Sequence, residues 1–148
     1  MRYLLLLHVS AGTLALMVLA IPLVARKGGR VHIRAGTVYA AGMTVVAATG
    51  VVMSLWRLAT DPEPSHRAFA LFLLYVSLLT AAALSIAVRV LGQKRRTAAH
   101  RHWWDLGLPA ALLGFALFVL GWGLLRGAWL FAAFSIVGLV TGAEHLRY

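Results

Sequence analysis

Residues 3–25 read YLLLLHVSAGTLALMVLAIPLVA, an apolar run without a single charged side chain. A helix needs about 20 residues to cross the hydrocarbon of a bilayer, so this segment is long enough to span it. Arg26, Lys27 and Arg30 follow directly. A basic flank behind an apolar run is typical of a stop-transfer segment, which favours a retained helix over a cleaved signal peptide.

The composition of the whole chain agrees with this first segment. Of 148 residues, 61% are hydrophobic and 12% are charged, and the mean hydropathy is +0.85. A soluble domain of this length needs far more polar surface, so the composition predicts an all-α bundle of transmembrane helices. The chain has no cysteine, which excludes disulfides, iron–sulfur clusters and covalently attached c-type haem.

Uncharged runs divide the chain into candidate spans. We predict five, which together form one transmembrane domain over residues 1–148: about 3–25, 35–56, 68–88, 106–125 and 127–143. The fifth is at the low end of spanning length, and only Arg126 and its neighbours separate it from the fourth, which predicts a tight antiparallel hairpin. A four-helix alternative would make 106–143 one helix or a partly re-entrant segment, and we favour five.

The basic residues are distributed unevenly between the two predicted sides. Ten of the 14 lysines and arginines fall in 26–34, 89–105 and 144–148, and four fall on the opposite side. The positive-inside rule therefore predicts an outside N-terminus and a cytoplasmic C-terminus. A net charge of +10 suggests nucleic acid in a soluble protein. Here the basic residues flank apolar spans, which favours anionic lipid head groups as partners instead.

Small residues recur along several spans at spacings that allow helices to pack closely. Gly107, Gly114 and Gly121 are seven residues apart, as are Ala35, Gly42 and Thr49. Gly138 and Gly142 have GxxxG spacing. Such stripes serve packing within the chain or an interface with a partner membrane subunit or a second copy, and the sequence leaves both open. The predicted packing glycines are Gly12, Gly36, Gly42, Gly107, Gly114, Gly121, Gly138 and Gly142.

One phrase occurs twice, as LHVSAGTLAL at 7–16 and as VHIRAGTVYA at 31–40. Each copy begins a long apolar segment and places a histidine, His8 or His32, four residues before a glycine. An ionisable residue inside a bilayer is a functional candidate by default. His8 lies roughly 7 Å below the predicted outer edge of its span. It should therefore bond Ser10, Ser77 or a carbonyl, or ligate a cofactor.

Six histidines divide by predicted depth into an outer pair and an inner cluster. Neutral imidazole is a common axial ligand of haem iron, so we expect candidate sites for b-type haem in each leaflet. His8 with His66 would serve an outer haem, and His32 with His100 or His145 an inner one. The competing interpretation is that the histidines near helix ends are interfacial residues among basic neighbours.

Three histidine phrases also carry a resemblance. HxxxG at His8 and Gly12, HxxxGxxY at His32, Gly36 and Tyr39, and AHRxW at 99–103 are together similar to an uncharacterised bacterial family, the domain of unknown function family 2306. The resemblance covers about residues 4–125. It implies a small multi-pass protein of the bacterial inner membrane without a defined activity, and it favours His8, His32 and His100 as the functional histidines.

The function classes that remain are few. No acidic residue lies inside a predicted span, and no phosphate-binding loop, HExxH motif or nucleophile context is present, so the sequence points to no catalytic residue and makes a hydrolytic enzyme a poor prediction. We expect a haem-binding or redox-associated membrane protein. The alternatives are a non-catalytic accessory subunit of a larger membrane complex and, third, a small-solute transporter.

Overall fold

A computed structural model describes the backbone of residues 1–92 and 103–146 and the side chains of 1–88 and 107–144. That part of the chain is helical, with short turns and no strand. The five helices are α1 (Arg2–Val24), α2 (Arg30–Thr60), α3 (Pro64–Gly92), α4 (Trp103–Leu125) and α5 (Trp129–Leu146). The all-α prediction with five helices is therefore confirmed.

Four of the five helices are long and apolar enough to cross a membrane. In α5 the apolar stretch, Trp129–Glu144, is shorter, so a fifth crossing remains a prediction. Helix α2 extends beyond the predicted 35–56 at both ends because charged residues such as Arg30 and Arg57 continue it. An uncharged run marks only the part of a helix that fits the hydrocarbon, whereas the helix itself continues toward the head groups.

The chain divides into two compact units, Met1–Ala70 and Leu71–Tyr148. In the first unit α1 and α2 pack against each other and are joined by a turn in which Gly28 has a φ of +79°. Such a left-handed conformation favours glycine. The two helices approach closely where Gly42 meets Ala15, since a Cβ on Gly42 would lie 3.2 Å from the Cβ of Ala15.

The second unit contains most of α3 together with α4 and α5. Its core is Tyr75, Ala82, Leu112, Ala116 and Val119. The Tyr75 side chain is completely buried, and its hydroxyl donates to the Phe134 carbonyl at 3.2 Å. A Cβ on Gly138 would overlap that hydroxyl, so glycine is what allows tyrosine to reach the backbone of α5.

Helices α4 and α5 are joined by residues 126–128. Gly127 has a φ of +66°, the Ala128 amide donates to Gly123 O at 2.8 Å, and the Gly127 amide donates to Leu124 O at 3.3 Å. These two bonds form a Schellman motif, which ends a helix by satisfying its last carbonyls. The glycine thus provides the tight reversal between the two helices, which pack against each other.

The predicted packing glycines fall into two groups. A Cβ on Gly12 would meet Val46 of α2 at 3.6 Å, and one on Gly142 would meet the Leu113 side chain at 2.7 Å; Gly42 and Gly138 are close to neighbours as well. A Cβ on any of the other four would meet nothing within 4 Å in the described part of its own unit: Gly36, Gly107, Gly114 and Gly121.

Candidate functional site

His8 forms a hydrogen bond across the α1–α2 hairpin. Its Nδ1 lies 2.8 Å from Oγ1 of Thr49, and the imidazole is half-buried between the two helices. The partner is neither of the serines expected from sequence nor a carbonyl. It is the last member of the stripe Ala35, Gly42, Thr49, which places a small polar residue on the α2 face that contacts α1.

The hydrogen bonds of Thr49 indicate which nitrogen of His8 carries the proton. The Thr49 hydroxyl donates its one proton to the backbone, with Val45 O at 2.7 Å and Val46 O at 3.1 Å. Only lone pairs of Oγ1 remain for His8, so Nδ1–H must be the donor. A neutral imidazole with a protonated Nδ1 has an unprotonated Nε2, and that atom has no hydrogen-bond partner among the described residues.

This arrangement resembles the way proteins prepare imidazole ligands. A metal-binding histidine almost always donates from its other ring nitrogen to a neighbouring oxygen, which fixes both the tautomer and the ring orientation. The oxygen beside Nδ1 of His8 is Oγ1 of Thr49. The positions three and four residues after His8 on the same face of α1 are the small residues Ala11 and Gly12, whereas Leu5 and Leu4 occupy the positions three and four residues before it.

His32 is held in the same tautomer by a different oxygen. Its Nδ1 donates to the Pro22 carbonyl at 3.1 Å, since a carbonyl can only accept. That carbonyl is in the last turn of α1, where carbonyls have no intrahelical donor. His32 therefore caps α1 from the first turn of α2. His8 and His32 lie at opposite ends of the hairpin, because Pro22 is 14 residues beyond His8 on α1, roughly 21 Å at the helical rise.

His66 is exposed in the first turn of α3, where its imidazole meets the carboxylate of Asp61. The Asp61 carboxylate accepts from His66 Nδ1 at 3.1 Å and from the Glu63 amide at 3.1 Å, and the Arg57 guanidinium lies 3.8 Å away. The pKa of Asp61 is held below its ordinary value of 3.8, and the hydrogen bond from the Glu63 amide is the largest cause. His66 and Arg57 lower the pKa further.

The structure thus gives His8 and His66 separate partners. The other two predicted ligands are not placed: His100 lies beyond the described residues, and the His145 side chain is not among those described in α5. Within the described residues, no group of three or more histidine or acidic side chains is arranged to hold a metal ion.

Sequence reasoning identified His8 and His32 but missed the oxygens that hold them. Thr49 carried one signal, its place in the seven-residue stripe of α2. Pro22 O carried none, because a backbone carbonyl has no sequence signature. Comparison with known proteins adds no assignment: no protein-family model, no curated protein and no solved structure matches the chain. The resemblance of the three histidine phrases to family 2306 stays a prediction.

Proposed function

We propose that this multi-pass membrane protein binds a b-type haem through Nε2 of His8. The observation that supports the proposal is the hydrogen bond between His8 Nδ1 and Thr49 Oγ1: because the Thr49 hydroxyl is already bonded to Val45 O, we infer that Nδ1–H is the donor, and Nε2 has no partner in the described part of the chain. A bound haem would supply one-electron redox chemistry. A five-coordinate haem needs one protein ligand only, as histidine provides in globins and peroxidases.

The residues around His8 have separate tasks in this proposal. Thr49 orients the ring and keeps the proton on Nδ1, and Val45 O fixes the Thr49 hydroxyl so that it can only accept. The apolar side chains of α1 beside His8, Leu5 and Val9, are exposed and would contact the porphyrin edge and exclude water. Our proposal keeps the predicted topology, with the N-terminus outside and the C-terminus cytoplasmic, and the bacterial inner membrane as location.

His32 is the candidate ligand for a second haem at the opposite end of the hairpin. Its Nδ1 is likewise engaged as a donor, which leaves Nε2 available. The predicted second ligands, His100 or His145, belong to this part of the proposal. Because His8 and His32 are too far apart to share one haem, loss of either should remove one haem and leave the other.

The direct test is the haem content of purified variants. Wild type, His8→Ala and His66→Ala would be expressed in haem-supplied cells, purified in detergent and assayed for haem per chain. The proposal expects His8→Ala to lose one haem equivalent while the matched control His66→Ala keeps it. Equal haem content in wild type and His8→Ala, at equal helix content by circular dichroism, would contradict the role of His8.

The open glycine stripe of α4 favours a second candidate, a subunit of a larger membrane complex. Gly107, Gly114 and Gly121 recur every seven residues without a neighbour in the described part of their own unit, and such stripes let membrane helices approach closely. Gly114→Leu should then release a co-purifying membrane partner. Gly36→Leu, also at an open position, is the matched control. Identical co-purification of both variants and wild type would exclude this use of the stripe.

A further inference from the structure

The turn between α1 and α2 carries a concentrated positive charge that no acidic side chain of the described residues neutralises. Four basic residues lie at this turn, and all four are exposed: Arg26, Lys27, Arg30 and Arg34. No aspartate or glutamate occurs before Asp61, and the ion pairs among the described residues are both made by Asp61. Four cations within nine residues repel one another, so this surface is suited to an anionic partner.

The backbone of the turn keeps these side chains together. The Gly29 amide donates to Arg26 O at 3.0 Å, and Gly28 adopts its left-handed conformation between them. The reversal brings the residues that follow α1 next to the first turns of α2. Arg30 and Arg34 are four residues apart on α2, which places them on the same helix face.

Apolar side chains border the basic ones directly. Leu23 and Val24 at the end of α1 are 75% and 88% exposed. Val31 and Ile33, which alternate with the basic residues at the start of α2, are 62% and 56% exposed. A ligand that covers this surface must therefore be both anionic and apolar. Free phosphate lacks the apolar part, and nucleic acid offers no acyl chain to the four aliphatic residues.

We propose that residues 23–34 form a binding surface for an anionic phospholipid, with the phosphate among the four basic side chains and an acyl chain along the aliphatic residues. A zwitterionic lipid carries a cationic group beside its phosphate, which the unpaired cluster disfavours. Membrane surface potential attracts such clusters in general. A bound lipid at this turn is more specific than that diffuse attraction, because the basic and aliphatic side chains must both contact the same molecule. This proposal rests on the charges and apolar side chains of the turn and not on the haem proposal, although His32 lies within the same segment.

The test is lipid binding to the intact purified protein in a neutral detergent, measured by native mass spectrometry and by thermal stability. Phosphatidylglycerol should bind with one strong site and raise the melting temperature. Phosphatidylcholine, and inorganic phosphate at matched ionic strength, should do neither. Stabilisation by phosphate alone would indicate a free-anion site, and equal stabilisation by phosphatidylcholine would indicate solvation by acyl chains; either result would overturn the proposal.

A pair of variants locates the site. Arg30→Gln with Arg34→Gln should weaken phosphatidylglycerol binding roughly 30-fold, given the attraction that each basic residue contributes near an anionic surface. Arg2→Gln with Arg67→Gln removes the same charge elsewhere in the first unit and should change binding less than about twofold. Removing positive charge from the start of a helix favours the helix, so the first variant should fold. An equal loss of phosphatidylglycerol affinity in both variants would contradict a site at this turn.

Discussion

Nδ1 of His8 lies 2.8 Å from Oγ1 of Thr49, a bond between residues 41 positions apart in sequence. The contacts Gly12–Val46 and Ala15–Gly42 continue the same antiparallel ladder, and His32–Pro22 ends it. Each copy of the repeated phrase thus contributes one histidine that bonds to the partner helix. An imidazole therefore joins the two helices near each end of the hairpin, and Nε2 of neither histidine has a hydrogen-bond partner among the described residues.

Replacing Thr49 should weaken haem binding without removing the ligand. Thr49→Val is close in shape but lacks the oxygen that accepts from His8 Nδ1, so the ring loses its fixed tautomer and orientation. Loss of such a supporting bond typically costs about 10–100-fold in metal affinity, and we expect that range for haem titrated into the apoprotein.

Thr49→Ser is the control for that titration, because serine keeps the hydroxyl and should bind haem within a few-fold of wild type. If Thr49→Val bound haem as tightly as wild type while His8→Ala lost it, the hydrogen bond to Thr49 would have no part in preparing the ligand.

Gly138 should be intolerant of a single methyl group. Gly138→Ala would force a Cβ into the Tyr75 hydroxyl, and overpacking of this kind costs about 1–3 kcal/mol. Gly114→Ala, where a Cβ meets nothing nearby, should be neutral or gain up to about 1 kcal/mol from helix propensity. The free energy of unfolding in detergent, measured for each variant, gives the effect of both substitutions. Tyr75→Phe should recover part of the Gly138→Ala loss, and equal stability of the two alanine variants would refute the contact.

Two glycines of α2 allow a similar comparison, because Gly42 lies close to α1 and Gly36 has open space around it. A Cβ on Gly42 would lie 3.2 Å from Ala15 and 3.3 Å from the Ala11 carbonyl, so Gly42→Ala should separate the helices slightly and destabilise by about 1 kcal/mol. Gly36→Ala on α2 has open space and serves as its control. A melting temperature lower for Gly36→Ala than for Gly42→Ala would mean that the helices are not in this register.

The carboxyl group of Asp61 should titrate below its ordinary pKa of 3.8. Because the folded state lowers the pKa of Asp61, its ionised form stabilises the turn above the ordinary value of 3.8, and this contribution disappears as pH falls through the lowered pKa. Glu63→Pro removes the amide donor, so the pKa should rise toward its ordinary value; Glu63→Ala keeps the amide and should not raise it as far. Carbon-13 NMR of labelled aspartate reports the titration. Identical Asp61 pKa values in both variants would argue against the amide as the main cause.

Much of the fold was readable from the sequence, because an uncharged run of spanning length is uncommon outside a membrane helix. The five helices followed from these runs, whereas their ends did not: Arg30 and Arg57 continue α2 beyond the apolar stretch, since a helix does not stop where the hydrocarbon does. The stripe Ala35, Gly42, Thr49 indicated a packing face. The stripe at Gly107 has the same spacing but no neighbour in the described part of its own unit, because spacing does not specify what covers a face.

The candidate site was less predictable. His8 was identifiable as an isolated histidine within an apolar run. Its hydrogen-bond partner lies 41 positions away in the sequence. Tertiary hydrogen bonds of this kind depend on helix register, which the pattern of apolar residues does not encode. Predicted depth grouped His66 with His8 as the outer pair, although His66 lies at the end of its span. Asp61, five residues earlier, gives it a separate and exposed role.

The most direct test of the claim that Nε2 of His8 holds a b-type haem is the dithionite-reduced minus oxidised absorption spectrum of wild-type protein, purified in detergent from haem-supplied cells. We predict a sharp b-type band, with at least one haem per chain, that is diminished in His8→Ala. A flat wild-type spectrum from protein with intact helix content would contradict the claim and leave the membrane-subunit candidate in its place.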